Sequence, residues 1–420
     1  MIDSICLFED SSYTRLLPLV YLRPVYDLRC GILTLREKIL NCFPKIPITL
    51  QCRKYLADLV KQQNPYLLVN EIKEKTCLFI NGRVIMDSKL AVQLNVSADT
   101  IFMNGDEIIA AYLSGYNLEL LCSRLSQPAT FIDMHNVNVV NIDAKIVKYP
   151  WDLISYNGDQ INCDYNFLTQ NNNGSKILGK VYEGAHLINK ENIFIDEGAS
   201  IKPGVVLDAE GGPIYIGKNA KIFPNAVIEG PAFIGNKTAI KIGAKIYENT
   251  SIGEVCNVGG EVEGCIIHSY SNKQHDGFLG HSYLAMWVNL GADTNNSDLK
   301  NNYGNVKVTI NGEQINSGSM FVGLTMGDHS KAGINTMFNT GTVVGISSNV
   351  FGAGFPQKYI PSFSWGGTDS TIIYDIEKAI EVARRVMSRR NINLYDTEEK
   401  VIREVFNLTI DERKKFGVTN

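Results

Sequence analysis

The sequence lacks the features that define several common classes of protein. Its nine cysteines include no CxxC pair, and no cysteine or histidine pair has the spacing of a zinc site. No apolar run is long enough to cross a bilayer, and the N-terminal residues MIDSICLFEDSS have no signal-peptide pattern. A net charge of −4 argues against a general electrostatic attraction to nucleic acid. We therefore expect a cytoplasmic chain with reduced thiols, no integral membrane segment and no nucleic-acid partner.

What the sequence does have is a six-residue period. From Ile216 to Val258 an aliphatic residue returns at every sixth position, and shorter runs with the same spacing begin at Ile195 and at Met326. In an α-helix one face is revisited after about 3.6 residues, and in a strand at every second position, so neither pattern fits. A period of six is typical of a parallel β-helix in which each hexapeptide forms one short strand and one turn.

The composition changes along the chain and predicts three units. Residues 1–170 alternate apolar runs with helical patterns, which predicts a mixed α/β domain with a largely parallel sheet. Residues 171–368 carry the hexapeptide pattern, and residues 369–420 are predicted to form C-terminal helices. A polar, Asn-rich linker is expected at residues 166–176.

Residues 259–320 interrupt the six-residue period. They contain three of the six histidines in the chain, His268, His275 and His281. A solenoid accommodates insertions as loops, and such loops often bind ligands. Because histidine is the usual proton carrier near neutral pH, the chemistry of the β-helix is predicted to lie in this segment.

A motif near the N-terminus resembles the signature of the sugar-1-phosphate nucleotidyltransferases. The matching residues are Thr14, Arg15, Leu16, Pro18, Leu19 and Pro24. In that family a glycine-rich turn cradles a nucleoside triphosphate, and basic side chains stabilise the charge on its phosphates. The resemblance implies a nucleotide site, to which we assign Thr14, Arg15, Arg23 and Arg29.

Four positions depart from that signature. Ser11 and Tyr13 replace the two turn glycines, and Val25 replaces a lysine. Arg83 stands where the family usually has a metal-binding aspartate. Loss of a magnesium ligand would remove charge stabilisation, so the metal ligands are not assigned and the activity of the first domain is left open.

The chain as a whole is similar to a divergent branch related to the bifunctional N-acetylglucosamine-1-phosphate uridyltransferases and glucosamine-1-phosphate acetyltransferases. In that family the second domain is a trimeric, left-handed β-helix, and its histidine precedes a Gly-Ala-Gly-Thr motif by sixteen residues. His275 precedes Gly291 by the same number, so the resemblance implies that His275 is the general base, with His281 as the alternative. The residues that it assigns to sugar-phosphate and acetyl binding are Asn302, Tyr303 and Lys307.

The resemblance implies two successive activities. The first is acetyl transfer from acetyl-CoA to glucosamine 1-phosphate, and the second is uridylyl transfer from UTP, with Mg²⁺, to give UDP-N-acetylglucosamine. The alternatives are an acetyltransferase with a degenerate N-terminal binding domain, a nucleotidyltransferase for another sugar or another NTP, and a non-enzymatic trimeric scaffold or sensor. Because flat β-helix sides commonly pack around a threefold axis, a homotrimer is expected.

Overall fold

The N-terminal part of the molecule is built on one sheet. The computed structural model describes residues 2–170 and 176–419. The strands of the sheet are β1 (Ser4–Phe8), β2 (Ile48–Leu50), β3 (Leu68–Val69), β4 (Thr76–Asn81), β5 (Thr100–Asn104), β6 (Glu107–Ser114) and β7 (Asn138–Asn141). They follow the order β3–β2–β1–β4–β6–β5–β7, in which β6 is antiparallel to both of its neighbours and the other pairs are parallel.

Within residues 2–170, four helices connect strands of this sheet, and a fifth leads from it to the second half of the chain. They are α1 (Leu35–Cys42), α2 (Ala57–Gln63), α3 (Ser88–Gln93), α4 (Gly115–Cys122) and α5 (Pro150–Thr169). The longest, α5, starts with a proline, whose fixed backbone angle suits the first turn, and it packs against the second half of the chain. Its last turn occupies the beginning of the linker predicted at 166–176, and residues 171–175 lie outside the described residues.

From residue 180 onward the chain coils into a parallel β-helix. Ile216 pairs with Ile234 and Ile234 with Ile252, so that each of these coils contains three hexapeptides. The inward aliphatic side chains form a continuous core, and these three isoleucines are completely buried. Removal of this column of apolar surface from water is what holds the coils together.

The β-helix has three faces, called A, B and C below. Face A consists of Ile193–Ile195, Ile214–Ile216, Ala232–Ile234, Thr250–Ile252, Ile266–Ile267, Tyr283–Leu284, Thr325–Met326, Val343–Val344 and Tyr359–Ile360. Face B consists of Lys180–Val181, Ser200–Ile201, Lys221–Ile222, Ala239–Ile240, Asn257–Val258, Asn272–Lys273, Asn289–Leu290, Lys331–Ala332, Asn349–Val350, Ser364–Gly366 and Thr371–Ile373. Face C consists of His186–Ile188, Val206–Asp208, Val227–Glu229, Lys245–Ile246, Glu261–Glu263 and Phe278–Gly280, and the pair Asn295–Asn296 and Met337–Phe338 follows it.

The interruption predicted at 259–320 is largely regular structure. Ser251 pairs with Ile266 and Ile266 with Tyr283, so both of these coils are shorter than three full hexapeptides. The six-residue period is lost here because the turns are shorter, while the strands continue. Within the described residues 259–322 the chain leaves the β-helix at residues 298–322, here called the insertion, which contains a hairpin of Lys307–Ile310 with Glu313–Asn316.

The C-terminal helices join the two halves of the molecule. They are α6 (Ile376–Ser388), α7 (Asp396–Leu408) and α8 (Ile410–Lys415). Helix α7 packs against α2 of the N-terminal domain. In α8 the Glu412 carboxylate accepts hydrogen bonds from the Tyr21 hydroxyl (3.1 Å) and from the backbone N–H of Ser362 in the last coil (3.2 Å).

The predicted fold class, a mixed α/β domain followed by a β-helix and terminal helices, is confirmed. The unit boundaries at 170 and 368 stay a prediction. The strand Thr371–Ile373, beyond the second boundary, still pairs with the β-helix. In the described part of the chain, no helix combines the length and apolar character that a membrane crossing requires.

Candidate functional site

The side chain of His281 forms a carboxylate–imidazole pair with Asp298. His281 follows the face C strand Phe278–Gly280 at a corner, where its φ is +43°. Its Nδ1 lies 2.8 Å from Oδ2 of Asp298, and both side chains are mostly buried. A carboxylate that accepts the Nδ1 proton fixes the tautomer and leaves Nε2 free to accept a proton from a substrate. This is the arrangement that general-base catalysis requires.

Two further residues lie close to the His281 ring. Gly264, one coil earlier at the same corner, has φ +57°, and a Cβ atom there would lie 3.2 Å from Cδ2 and Nε2 of the imidazole. The Phe321 ring covers the imidazole with a centroid distance of 5.0 Å. The backbone of Gly264 and the Phe321 ring both limit the space in which the imidazole can rotate.

The insertion supplies two of these contacts and is itself anchored. Asp298 and Phe321 lie at its two ends, and the backbone N–H of Val322 donates to the Asp298 carbonyl oxygen (2.9 Å). The hairpin buries Val306 and Val308 in a cluster with Trp151 at the start of α5. The insertion therefore ties the His281 site to the N-terminal domain.

His275 lies in a different environment. Its side chain is exposed, and within the described residues its hydrogen-bond partner is the Gln274 amide, 3.2 Å from Nε2. Beneath this corner Lys273 points into the β-helix core, where its Nζ donates to the backbone oxygens of His275 (2.6 Å) and Asp276 (3.2 Å). The assignment of the general base to His275 stays a prediction, and the geometry favours His281.

The spacing of the residues around His281 matches a coil length that only the structure shows. His281 precedes Gly291 by ten residues, whereas His275 precedes it by sixteen, so the two histidines are one hexapeptide apart. His281 and Asp298 are 17 positions apart, and Gly264 precedes His281 by the same interval, which is the length of the local coil. Residues one coil apart stack in a β-helix. Asp298 was missed because the coil length is known only once the short turns are seen.

The three residues predicted to bind the sugar phosphate and acetyl group lie on the insertion. Asn302 accepts a hydrogen bond from the Gly304 N–H (3.1 Å), Tyr303 is 68% exposed, and Lys307 is an exposed residue at the start of the hairpin. Among the described residues no hydrogen bond joins these three to His281. Their predicted role therefore stays a prediction.

His268 is a buried residue of the domain interface. Its Nδ1 accepts a hydrogen bond from the Ser269 N–H (2.8 Å). Burial, together with the nearby charges of Arg23 and Arg29, lowers the pKa of His268 to about 3. The His268 ring is therefore neutral at pH 7.

The nucleotidyltransferase-like turn is a short 3₁₀ helix, Ser11–Leu16. Its first turn is capped by Asp10, whose Oδ1 accepts from the Ser12 N–H (3.0 Å), and the Thr14 hydroxyl donates to the Ser11 carbonyl oxygen (3.1 Å). Arg15, whose side chain is 41% exposed, pairs with Glu107 at 3.0 Å. Thr14 and Arg15 are therefore partly accessible, and their role in nucleotide binding stays a prediction.

Two departures from the signature are packed into the domain. Val25 is buried, and its N–H donates to Oε1 of Glu9 (2.9 Å). Glu9 also pairs with the buried Arg53 (3.1 Å), whose guanidinium lies 4.3 Å from the Tyr13 ring centre. Tyr13 thus covers a buried ion pair at the position of a turn glycine.

The other two predicted nucleotide-binding residues bridge the domains. Arg29 pairs with both oxygens of Glu254 on the β-helix at 2.9 Å, and its guanidinium lies 5.2 Å from the centre of the Phe233 ring. Arg23 pairs with Asp328, which is also on the β-helix. The predicted phosphate contact of these arginines stays untested, and the structure gives both of them an interdomain partner.

The position expected for a metal-binding aspartate holds the buried Arg83. Its guanidinium pairs with Asp10 and Glu107, both at 2.6 Å. Within residues 2–170 and 176–419, no group of three or more His, Cys, Asp or Glu residues could hold a metal ion. The residues present therefore do not fit the Mg²⁺ that the resemblance implies at this position.

Comparison with known proteins finds a family model for the N-terminal part of the chain and curated relatives with two activities in their names. Residues 5–173 match the family model described as sugar nucleotidyl transferase. A bifunctional sugar-1-phosphate nucleotidylyltransferase/acetyltransferase of Sulfurisphaera tokodaii is 28% identical over 219 residues, which is 52% of this chain and 47% of the relative. The bifunctional protein GlmU of Methanococcus maripaludis strain S2 is 30% identical over 210 residues, 49% of this chain and 43% of the relative. The chain thus spans about half the length of the curated relatives it matches.

Solved structures with similar stretches include UDP-N-acetylglucosamine acyltransferases. That of Francisella novicida is 19% identical, with a TM-score of 0.28, and the match covers 55% of this chain and 77% of that one. The Arabidopsis acyltransferase is 13% identical, with a TM-score of 0.20 over 51% and 78% of the two chains.

Proposed function

We propose that this chain is a transferase that acetylates an amino-sugar 1-phosphate in its β-helix and couples a sugar 1-phosphate to a nucleotide through its N-terminal domain. The observation that carries the proposal is the 2.8 Å contact between His281 and Asp298 on a hexapeptide β-helix. The sugar nucleotidyl transferase match over residues 5–173 and the two-part names of the relatives support it. The preferred substrates are glucosamine 1-phosphate and acetyl-CoA, followed by UTP.

In the acetyl-transfer step His281 is proposed to act as the general base. Its Nε2 takes a proton from the substrate amine while the amine nitrogen bonds to the thioester carbonyl carbon of acetyl-CoA. The carbon–sulfur bond then breaks, and the thiolate of CoA leaves and takes the proton from the imidazolium. Asp298 stabilises that imidazolium and keeps Nδ1 protonated throughout.

In the nucleotidyl-transfer step a sugar phosphate oxygen attacks the α-phosphorus of the triphosphate and pyrophosphate leaves. Arg15 is the partly exposed cation of the signature turn and is proposed to contact the phosphates. Mg²⁺ is proposed to arrive with the triphosphate, since the Arg83 position does not fit it. We also propose a homotrimer and a cytoplasmic location.

A second candidate is an acetyltransferase whose N-terminal domain binds a nucleotide or sugar phosphate without turnover. Tyr13 over Arg53 and the buried Arg83 favour it, because both replace groups that the active signature uses on phosphates. A pure scaffold is disfavoured, since a scaffold does not require a carboxylate–imidazole pair. Pyrophosphate release from UTP and N-acetylglucosamine 1-phosphate separates the first two candidates.

The acetyltransferase assignment is tested by release of free CoA thiol. His281→Ala is expected to lower the rate with glucosamine 1-phosphate about 10²–10⁴-fold. His275→Ala is the matched control, because it removes an exposed imidazole six residues away, and it should keep the wild-type rate. The opposite pattern would move the general base to His275, and absence of thiol release by the wild-type chain over several amino sugars would refute the proposal.

A further inference from the structure

Two carboxylates of the N-terminal domain converge on one buried guanidinium. Nη2 of Arg83 lies 2.6 Å from Oδ2 of Asp10 and 2.6 Å from Oε2 of Glu107. The Arg83 side chain is completely buried, whereas Asp10 and Glu107 are 18% and 12% exposed. Its Nη1 donates to the Val147 carbonyl oxygen (3.1 Å), which fixes the group in the core of the domain.

The remaining carboxylate oxygens also have partners. Oδ1 of Asp10 accepts from the Ser12 N–H (3.0 Å), and Oδ2 also accepts from the Asn81 amide (2.8 Å). Oε1 of Glu107 accepts from Arg15 (3.0 Å). Both carboxylates are therefore hydrogen-bonded through both oxygens without a metal ion.

The charges of this cluster balance. Asp10 and Glu107 contribute two negative charges, and Arg83 and Arg15 contribute two positive charges. Mg²⁺ requires several oxygen ligands at about 2.0–2.1 Å in octahedral geometry and favours sites with excess negative charge. The guanidinium occupies the space between the two carboxylates, so the cluster has neither the room nor the charge for a divalent ion.

We propose that Arg83 is a built-in cation that takes the place of a divalent metal between Asp10 and Glu107. Without it, two nearly buried carboxylates share a single positive charge, that of Arg15, which is unfavourable. Removal of Arg83 should therefore turn the carboxylate pair into a cation-binding site. This inference concerns charge compensation within the fold and does not depend on either proposed transferase activity.

The test is thermal unfolding of the full chain with millimolar MnCl₂ or with EDTA. Wild type should melt at the same temperature in both. Arg83→Ala should melt lower in EDTA and regain at least about 2 °C in Mn²⁺, because a cation that binds only the folded state stabilises it. Absence of this recovery in a folded Arg83→Ala variant would overturn the proposal.

The matched control is Arg53→Ala. Arg53 is an equally buried arginine, but it pairs with the single carboxylate of Glu9, so its loss should not be compensated by Mn²⁺. An equal recovery in Arg53→Ala would overturn the proposal, because it would show a general effect of the ion.

A second measurement applies even where Arg83→Ala does not fold. Calorimetric titration of wild type with Mn²⁺ should match that of Glu107→Gln, since the native pair holds no divalent ion. Mn²⁺ binding that is present in wild type and lost in Glu107→Gln would contradict the role of Arg83 as the resident cation.

Discussion

The ion pair between Arg29 and Glu254 links the N-terminal domain to the β-helix, and its contribution to stability can be worked out. Burial raises the pKa of Glu254, but the Arg29 guanidinium and the Ser269 hydroxyl more than offset this and lower it from 4.5 to about 2. At about 1.4 kcal/mol per pH unit this corresponds to about 3 kcal/mol. A third of the Glu254 side chain is exposed (32%), so solvent screening reduces the expected contribution to about 2 kcal/mol.

Arg29→Met is therefore expected to lower the free energy of unfolding by about 2 kcal/mol at pH 7, measured by urea denaturation. Because the folded pKa lies below the unfolded one, the contribution is complete above pH 4.5 and declines as the pH falls towards 2. At pH 3 the difference between Arg29→Met and wild type should be less than half of its value at pH 7.

The control is the exposed pair of Lys245 and Glu261, whose side chains are 58% and 36% exposed. Lys245→Met should change the free energy of unfolding by less than about 0.5 kcal/mol. If Arg29→Met had the same free energy of unfolding as wild type at pH 7, the Arg29–Glu254 ion pair would not stabilise the fold. If the variant lost the same free energy at pH 7 and at pH 3, the loss would not come from the charge of Glu254.

Three further predictions concern the His281 site and the C-terminal helices. Asp298→Asn should slow CoA thiol release at least about 10-fold with an unchanged circular dichroism spectrum, since an amide does not stabilise the imidazolium of His281. Gly264→Ala should destabilise the protein by about 1 kcal/mol, because alanine is strained at positive φ, and the melting temperature should fall accordingly. The same substitution should lower the acetyl-transfer rate, because the new Cβ displaces the His281 ring. Burial and the charge of Asp328 raise the pKa of Glu398 to about 7. Because the folded pKa lies above the unfolded one, wild type should lose stability as the pH rises from 4.5 to 7. Glu398→Gln should remove up to about 2 kcal/mol of that loss, measured as the difference in urea unfolding between pH 5 and pH 8.

The fold class was accessible from the sequence because the period of the β-helix is local. An inward side chain at every sixth position is required by every coil, so the run from Ile216 to Val258 predicts the architecture without knowledge of any distant contact. The same reasoning failed at residues 259–296, where shortened coils keep their strands but shift the spacing. Turn length is set by corner geometry, which the aliphatic pattern does not encode.

The candidate base was less predictable than the fold. The sequence identifies the histidine-rich segment, but His275 and His281 both lie in it, and among the described residues a carboxylate pairs with His281 and not with His275. That carboxylate comes from Asp298, one coil further on, at the start of the insertion. Spacing along the chain cannot rank the two histidines, because the next coil determines which of them has a partner.

The partners of three arginines of the N-terminal domain also became known only from the structure. The sequence assigns Arg23 and Arg29 to a phosphate site and finds Arg83 at the position of a metal-binding aspartate. In the folded chain Arg23 and Arg29 bind carboxylates of the β-helix, and Arg83 binds two carboxylates of its own domain. Their charge is a property of the residue, whereas their role depends on which acid the fold brings within hydrogen-bonding distance.

By itself the sequence determined the solenoid, the α/β domain before it and the segment that holds the histidines, since all three follow from periodicity and composition over neighbouring residues. Only the tertiary structure decided that His281 pairs with Asp298, that two arginines join the domains and that Arg83 pairs with both Asp10 and Glu107. These contacts join residues between 17 and 305 positions apart in the sequence. The free energy of a buried charge depends on its partners, and only the folded chain brings such distant partners together.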